Sequence, residues 1–406
     1  MAEENAPTPP AAGSLFASRP FLAVWSAGIL NGVMRWLELL VVGLYVFQQT
    51  GSPFLVALVS MLRLLPMALF GPFLGALADT LGRRRLYLAV TVLAALATGA
   101  QALLAALDAI EIWHLAIGCF ISGAYWTADM PVRRILLGEI AGGGRVAKAI
   151  VLDTLTNNLT RMLGPLVGGG VLQLFGLTGA FLVGLASCLL AFLLVWRVRD
   201  PGPPPTGGGW RIGATVLDGL RIARANRAIV ATLLITVLFN VFSFPTSGMV
   251  PVIGEAKLLL TPALIGLLSA SEGAGASLGS LAIAIWGRQA WFRPIYWGGL
   301  LLCFVSILLF AAADWAVLAG IALFCMGVGV AGFSAMQTTL IYLAVPPQAR
   351  SRVMGLVSFC VGTAPLGFLH IGWLADWLGP PIALAVMAAE GLLLLLLLLW
   401  HWPESR

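Results

Sequence analysis

The chain has 406 residues, of which 60% are hydrophobic and only 10% are charged, and its mean hydropathy is +0.98. Soluble domains carry about 25% charged residues, so the composition excludes an ordinary soluble domain and indicates a membrane protein. The net charge of +6 is explained by basic loops that contact anionic lipid headgroups, and we expect no nucleic-acid partner.

Apolar stretches recur along the whole chain, and each is close to the ~20 residues that a helix needs to cross a bilayer. They predict an all-α membrane protein with twelve transmembrane helices. We number these as spans 1 to 12, at residues 20–47, 53–78, 86–107, 112–134, 149–174, 177–198, 226–252, 261–286, 291–312, 315–343, 351–375 and 380–402.

The spans fall into two groups of six on either side of one long polar segment. Residues 1–18 lack the features of a secretory signal and are expected to form a disordered cytoplasmic tail. We predict six-helix bundles at 19–198 and 226–402, and a short cytoplasmic tail at 403–406. The linker at 199–225 begins with a Pro/Gly-rich stretch that cannot pack a core, and it continues as an amphipathic interfacial helix.

Basic residues are concentrated in alternate loops, which places those loops in the cytoplasm. With the N-terminus inside, the inner loops hold nearly all of them, including residues 83–85, 288 and 350, whereas the outer loops hold Lys257. This pattern predicts that both termini are cytoplasmic. We expect a multi-pass protein of the bacterial inner membrane.

Paired glycines seven residues apart recur near the ends of spans 2, 5 and 11, as Gly75/Gly82, Gly169/Gly176 and Gly372/Gly379. Span 2 ends on the opposite side of the membrane from spans 5 and 11, so the repeat is inverted in the first half, as in many secondary carriers. Helix capping by glycine is an alternative explanation for any single pair.

The inner end of span 2, GALADTLGRRR at residues 75–85, resembles the signature loop of the major facilitator superfamily. Further matches are QQTGSP (48–53), MPVRR (130–134), RMLGP (161–165) and VPPQARSRVMGL (345–356). They resemble the branch that contains the enterobactin exporter and macrolide efflux proteins. Thr80 departs from the usual basic residue of the loop, which weakens the charge network expected around Asp79.

The resemblance implies two six-helix bundles that rock between inward-open and outward-open states, with spans 1, 4, 7 and 10 lining a central cavity. GPLVGG at residues 164–169 resembles an exporter motif, although Thr160 replaces its first glycine. Helix capping by Asp79 and simple tight packing at Gly164 and Pro165 are the alternatives to a gating role. The predicted gating residues are Gly75, Asp79, Gly82, Arg83, Asp129, Arg133, Gly164, Pro165, Arg350 and Arg352.

Span 1 carries Asn31, Arg35 and Glu38 at i, i+4 and i+7, on one helical face. A charge near the bilayer centre costs at least ~2.5–3.5 kcal/mol on insertion scales, so such residues pair, face water or carry function. We predict that Glu38 carries a proton and that Arg63 or Arg35 is its partner. The alternative is a permanent structural pair between spans 1 and 2.

A second stripe in span 5 consists of Asp153, Asn157 and Arg161, and Glu272 lies at a similar depth in span 8. The predicted proton-coupling residues are Glu38, Glu272 and Asp153. Arg161 either contacts an anionic substrate or bonds to carbonyl groups of a neighbouring helix. Glu390 in span 12 is expected to be a protonated packing residue.

Aromatic and amide side chains of the cavity spans suit an amphiphilic organic ligand. The predicted substrate-binding residues are Asn31, Arg35, Arg63, Trp126, Asn157, Arg161, Asn240, Phe244, Gln337 and Tyr342. The apolar aromatic residues among them are also explained by ordinary bundle packing.

These features predict a monomeric, proton-coupled exporter of small amphiphilic organic molecules, such as siderophore-like compounds, drugs or metabolites. The alternatives are a lipid or lysophospholipid translocase of the same fold and a non-transporting membrane sensor. The cysteines and histidines lack metal-ligand spacing, and the sequence contains no phosphate-binding loop of the GxxxxGK[ST] type. We therefore expect no metal, no cofactor and no enzyme activity.

Overall fold

The structure, a computed structural model, describes residues 15–142, 145–198, 220–224, 226–346 and 349–401, with side chains throughout except at 72–81, 147, 351 and 352. Residues 1–14 of the predicted N-terminal tail, the predicted tail at 403–406 and most of the predicted linker lie outside these residues. Residues 15–18 of the N-terminal tail are described, and Leu15–Ala17 form a short 3-10 helix where disorder was expected. The described residues of the linker, 220–224, are helical.

The first part of the chain forms long helices joined by short turns. They are α1 (Arg19–Thr50), α2 (Pro53–Leu81), α3 (Arg83–Ala106), α4 (Ile112–Ala141) and α5 (Val146–Trp196). Ser18 caps α1, because its hydroxyl accepts a hydrogen bond from the Phe21 N–H at 3.4 Å. Gly51 ends α1 with φ of 63°, a left-handed conformation that glycine adopts without a steric cost.

The second part of the chain is equally helical within the described residues. It contains α6 (Arg227–Leu238), a π-helical turn (Phe239–Ser243), α7 (Thr246–Ala256), α8 (Pro262–Trp286), α9 (Phe292–Ala312), α10 (Ala316–Ala344), α11 (Arg350–Val361), α12 (Ala364–Leu378) and α13 (Pro380–His401).

Among the described residues, nine helical segments are long and apolar enough to cross a membrane. The stretch at 148–196 counts once among them, although α5 includes predicted spans 5 and 6 and leaves helical geometry at Gly176, with φ of 64° and ψ of −167°. Helices α4 and α8 are not among the nine. The prediction of an all-α membrane protein is confirmed at this level, and the number twelve stays a prediction.

Two predicted spans are interrupted where proline removes a backbone donor. Span 7 is divided into α6 and α7 by the π-helical turn, and Pro245 precedes α7. Span 11 is divided into α11 and α12, and Pro365 lies in the first turn of α12. Such interruptions leave carbonyl groups free of the helical ladder in the middle of the bundle.

Side-chain contacts identify two ends of the bundle, which we call the Gly51 end and the Arg83 end. At the Gly51 end, Lys257 Nζ lies 3.0 Å from Asp314 Oδ1, and the Gln173 Oε1 accepts a 3.1 Å hydrogen bond from the Ala263 N–H. At the Arg83 end, Arg83 forms an ion pair with Glu139 of α4.

Small residues let α5 of the first half approach α8 of the second half closely. A Cβ added at Gly169 would meet the Pro262 carbonyl oxygen and lie 3.0 Å from Gly266 Cα. Gly273 similarly faces the backbone of residues 161 and 162. Close backbone approach at small residues is how helices associate in lipid, where no hydrophobic force acts between them.

We predict that Gly169→Ala destabilises the protein by roughly 1–3 kcal/mol, because the added methyl overpacks this contact. The matched control is Gly170→Ala, since a Cβ there meets no atom within 4 Å and alanine is favoured over glycine in a helix by ~1 kcal/mol. Tryptophan fluorescence during heating in detergent measures both melting temperatures. Equal melting temperatures for the two variants would contradict the close α5–α8 contact.

Candidate functional site

The polar face of α1 is buried against its four neighbours α2, α3, α4 and α5. Asn31, Arg35 and Glu38 are 2%, 8% and 4% exposed. The Asn31 amide donates hydrogen bonds to the Tyr87 hydroxyl at 2.7 Å and to Asp129 Oδ1 at 3.1 Å. The face predicted from the i, i+4, i+7 spacing therefore holds together α1, α3 and α4.

Glu38 is paired with Arg63 of α2. Arg63 Nη2 lies 3.3 Å from Glu38 Oε1, and the Ser122 hydroxyl of α4 donates to Glu38 Oε2 at 2.7 Å. Arg63 also donates to the Arg35 backbone carbonyl at 3.0 Å. Of the two partners considered for Glu38, the structure brings Arg63 to it, and both carboxylate oxygens are satisfied.

Arg35 instead faces Asp129 of α4 and Asn157 of α5. Its Nη2 lies 3.8 Å from Asp129 Oδ2, and its Nη1 donates to Asn157 Oδ1 at 3.4 Å. Its guanidinium carbon lies 4.8 Å from the centroid of the Trp126 ring. Arg35 thus has an aromatic partner as well as an anionic one, a combination that also suits binding of an acidic aromatic molecule.

A second ion-pair cluster lies nearer the Arg83 end. Arg133 Nε is 3.5 Å from Asp129 Oδ2, one turn back on the same helix, and Arg133 also pairs with Asp153 of α5. Arg134 Nε lies 3.0 Å from the other oxygen of Asp153. Asp153 is fully buried and holds two guanidinium groups, so it ties α4 to α5.

Among the described residues, an ion pair between α5 and α8 joins the two predicted halves. Arg161 of α5 pairs with Glu272 of α8, and its guanidinium carbon lies 4.9 Å from the centroid of the Trp36 ring. Arg161 was predicted as a substrate contact and Glu272 as a proton site. The structure makes them direct partners across the interface.

Two small cavities lie between the halves beside these pairs. Each has a volume of about 20 Å³, which is the space of one water molecule. The first is lined by Arg35, Trp36, Leu39, Ser60, Arg63, Leu64, Trp126, Phe244, Ser247 and Phe368. The second includes Trp36, Arg161, Pro165 and Glu272. The structure therefore gathers Arg35, Arg63, Trp126 and Phe244 around one closed cavity.

Five predicted substrate contacts do not line these two cavities. Asn31 and Asn157 form the hydrogen bonds given above. The Asn240 amide donates to the Thr236 carbonyl at 2.9 Å, and the Gln337 amide donates to the Thr236 hydroxyl at 2.9 Å. Tyr342 is 46% exposed, and Arg350 lies over its ring at 5.0 Å. Spacing along the sequence did not show which way these side chains face.

The structure describes the side chains of only some of the predicted gating residues. The side chains of Gly75, Asp79 and Arg352 lie outside the described residues. Gly82 joins α2 to α3 with φ of 83°, a conformation open to glycine. Arg350 also donates to the Tyr342 carbonyl oxygen at 3.0 Å.

Gly164 and Pro165 lie where α5 passes the other helices. A Cβ at Gly164 would lie within 3.1 Å of the Leu37 backbone nitrogen, and Pro165 contributes its carbonyl to the contact with Gly266. Both positions therefore give close packing, and whether they also bend during transport stays a prediction.

Several partners of the buried polar and charged residues were not predicted from the sequence. Ser122, Trp36 and Tyr87 complete the pairs described above, and a serine or an aromatic residue in a membrane helix gives no distinctive signal on its own. Glu390 of α13 was expected to be a packing residue, yet its Oε2 lies 3.2 Å from His370 Nε2 of α12. Among the described residues, no cluster of three or more His, Cys, Asp or Glu side chains is suited to a metal ion.

Comparison with known proteins agrees with this architecture. The chain is 20% identical to macrolide efflux protein A of Streptococcus pyogenes, over 88% of this chain and 90% of that protein. It is 25% identical to the multidrug efflux pump Tap of Mycolicibacterium fortuitum, over 89% and 90% of the two chains.

Solved transporters share the fold at low sequence identity. A peptide transporter POT in complex with sulfate superimposes with a TM-score of 0.75 at 14% identity, covering 95% of each chain. A bacterial homologue of the human lysosomal transporter Spinster superimposes with a TM-score of 0.72 at 14% identity, covering 97% of each chain. The sequence profile of the family described as transmembrane secretion effector matches residues 11–404. The chain therefore belongs to this family of the major facilitator superfamily, as the loop at residues 75–85 indicated.

Proposed function

We propose that the protein is a proton-coupled exporter of small amphiphilic organic molecules that works by alternating access. The observation that carries this proposal is the Glu38–Arg63 ion pair, which lies beside a closed, aromatic cavity between the two halves. Membership of the family makes the chain a multi-pass membrane transporter. The names of the macrolide and multidrug efflux relatives support export as the direction.

Glu38 is our first candidate for the proton carrier. Its negative charge is stabilised by Arg63 and by the Ser122 hydroxyl, so a proton that reaches it releases Arg63 from the ion pair. We assign the intact pair to the substrate-binding state, because protonation breaks it and displaces Arg63 from the cavity wall. Substrate binding therefore favours loss of the proton from Glu38, and this mutually exclusive binding of proton and substrate couples their opposite movements.

Glu272 is the second candidate, because protonation there would weaken its pair with Arg161 and loosen the contact between α5 and α8. Asp153 is the third. It pairs with Arg133 and Arg134 at once, so its protonation would weaken both of these ion pairs.

The substrate site is inferred from the arginines that face tryptophans. Arg35 lies over Trp126 and Arg161 lies over Trp36, and Phe244 completes the wall of the first cavity. Such sites suit a molecule with an apolar body and an acidic group. In the described conformation the cavities hold only water-sized volumes, so the substrate enters after the halves separate.

We also infer the membrane orientation of the protein from its basic loops, and its conformational state from contacts between the halves. The Arg83 end carries the basic loops and is assigned to the cytoplasm. We infer twelve membrane crossings in two six-helix bundles, with both termini in the cytoplasm. At the Gly51 end, a Cβ added to Gly43 of α1 would lie 3.7 Å from Pro251 of α7. There Gln173 of α5 also accepts a hydrogen bond from the Ala263 N–H of α8. These contacts close the outer side. We propose that the protein transports its substrate as a monomer.

The proton carrier is tested by recording pH while purified protein in weakly buffered detergent is titrated with siderophores, macrolides, organic acids and lysolipids. We expect a ligand that releases protons from the wild type and not from Glu38→Gln. Glu390→Gln is the matched control, because Glu390 is a membrane carboxyl group outside the cavities, and release should persist there.

Unchanged release from Glu38→Gln would make Glu38–Arg63 a structural pair and transfer the role to Glu272 or Asp153. Binding without release from any variant would contradict proton antiport. Lysolipid binding of that kind would favour the lipid-translocase alternative.

Orientation is tested with two exposed loop tryptophans at opposite ends, Trp315 (76% exposed) and Trp291 (48% exposed). In a background with the half-buried Cys325 changed to serine, Trp315→Cys should react with a membrane-impermeant maleimide in intact cells. Trp291→Cys should react only after permeabilisation. The reverse pattern would overturn the assignment of the Arg83 end to the cytoplasm.

A further inference from the structure

The largest cavity among those described does not lie between the two halves. It has a volume of about 460 Å³ and lies among α6, α9 and α10 at the Arg83 end. We call it the lateral crevice; its lining includes Ile229, Thr232, Ile235, Arg293, Tyr296 and Leu340. This volume is in the range of ordinary ligand pockets, about 300–1,000 Å³, whereas the central cavities hold about 20 Å³ each.

The mouth of the lateral crevice lies in the loop between α8 and α9. Gln289, Ala290 and Arg293 line it. The same loop exposes Trp286 and Trp291, and Arg288 lies over the Trp291 ring at 5.2 Å. Exposed tryptophans beside arginines are typical of the level of lipid headgroups, so the mouth opens at that level.

Apolar side chains form part of the lining of the lateral crevice. Ile229, Ile235 and Leu340 are among them. The Tyr296 hydroxyl in the same lining already has a partner, since it donates to the Thr232 carbonyl oxygen at 2.9 Å. A hydrocarbon chain would be accommodated along the aliphatic side chains without leaving this hydroxyl unpaired.

Basic residues also lie near the first turn of α6. A second cavity of about 230 Å³ is lined by Arg224, Arg227, Val230 and His401. Arg293 and the aliphatic side chains of the lateral crevice together match a ligand with an anionic head and an acyl chain.

We propose that the lateral crevice binds an anionic phospholipid of the leaflet at the Arg83 end. The phosphate lies against Arg293 and Gln289, and one acyl chain lies between Ile235 and Leu340. The bound chain lies between α6 and α10, which are also joined by the Gln337–Thr236 hydrogen bond and by packing of Ile229 with Ile341. This site is separate from the central cavities and does not depend on which molecule is exported.

The test is native mass spectrometry of the detergent-purified protein titrated with phosphatidylglycerol or phosphatidylcholine of the same acyl chains. We expect the wild type to retain phosphatidylglycerol preferentially. Arg293→Gln should lower that retention about fivefold, the usual effect of one basic contact. The matched control is Arg288→Gln, which removes one positive charge from the same loop at a residue that does not line the crevice, and it should retain the lipid like the wild type.

A second variant tests the apolar interior. Ala344→Trp adds a large side chain to the crevice wall and should reduce retention of both lipids, with a melting temperature near that of the wild type as evidence of folding. Equal retention of the two lipids by the wild type would overturn the proposal. So would equal losses in Arg293→Gln and Arg288→Gln, because general attraction to a basic surface would then explain binding.

Discussion

Charges buried in the middle of a membrane bundle must be paired, and this requirement organises the interior of the protein. A carboxylate or guanidinium group removed from water costs several kcal/mol unless a partner offsets the loss. Glu38 meets this requirement through Arg63 of α2, and Asp153 meets it through Arg133 and Arg134 of α4. Helices α1, α2, α4 and α5 are consequently held by electrostatic contacts as well as by packing.

The contact between the halves combines one such pair with a surface of small residues. Gly169 and Gly266 bring α5 and α8 close together without interlocking side chains, so the two helices can separate or slide at modest cost. Arg161 and Glu272 meet across this contact. Several ion pairs within the first part of the chain, and an ion pair beside a surface of small residues between α5 and α8, fit the alternating access that we propose.

Much of this arrangement could be predicted from the sequence. The i, i+4, i+7 spacing placed Asn31, Arg35 and Glu38 on one face, and hydrophobic length located the helices. The depth of a residue along its helix, however, does not reveal how that helix is rotated relative to its neighbours. Sequence therefore left Arg63 and Arg35 as alternative partners for Glu38, and it did not reveal the contact between Tyr342 and Arg350.

Local interruptions of the helices were also difficult to predict from the sequence. The break at Gly176 coincides with a predicted boundary, because a glycine with positive φ ends a helix. The π-helical turn at Phe239–Ser243 has no glycine or proline of its own, so its own residues did not predict it. The His370–Glu390 pair depends on how α12 and α13 face each other, which no spacing within either helix reveals.

The central claim is that Glu38 gives up its proton when substrate binds. Infrared difference spectroscopy of the protein in lipid, with and without substrate, observes protonated carboxyl groups directly. The account predicts that substrate removes one protonated-carboxyl band in the wild type and that this band is absent from Glu38→Gln. A band that persists unchanged in Glu38→Gln, or a wild type without any such change, would contradict it.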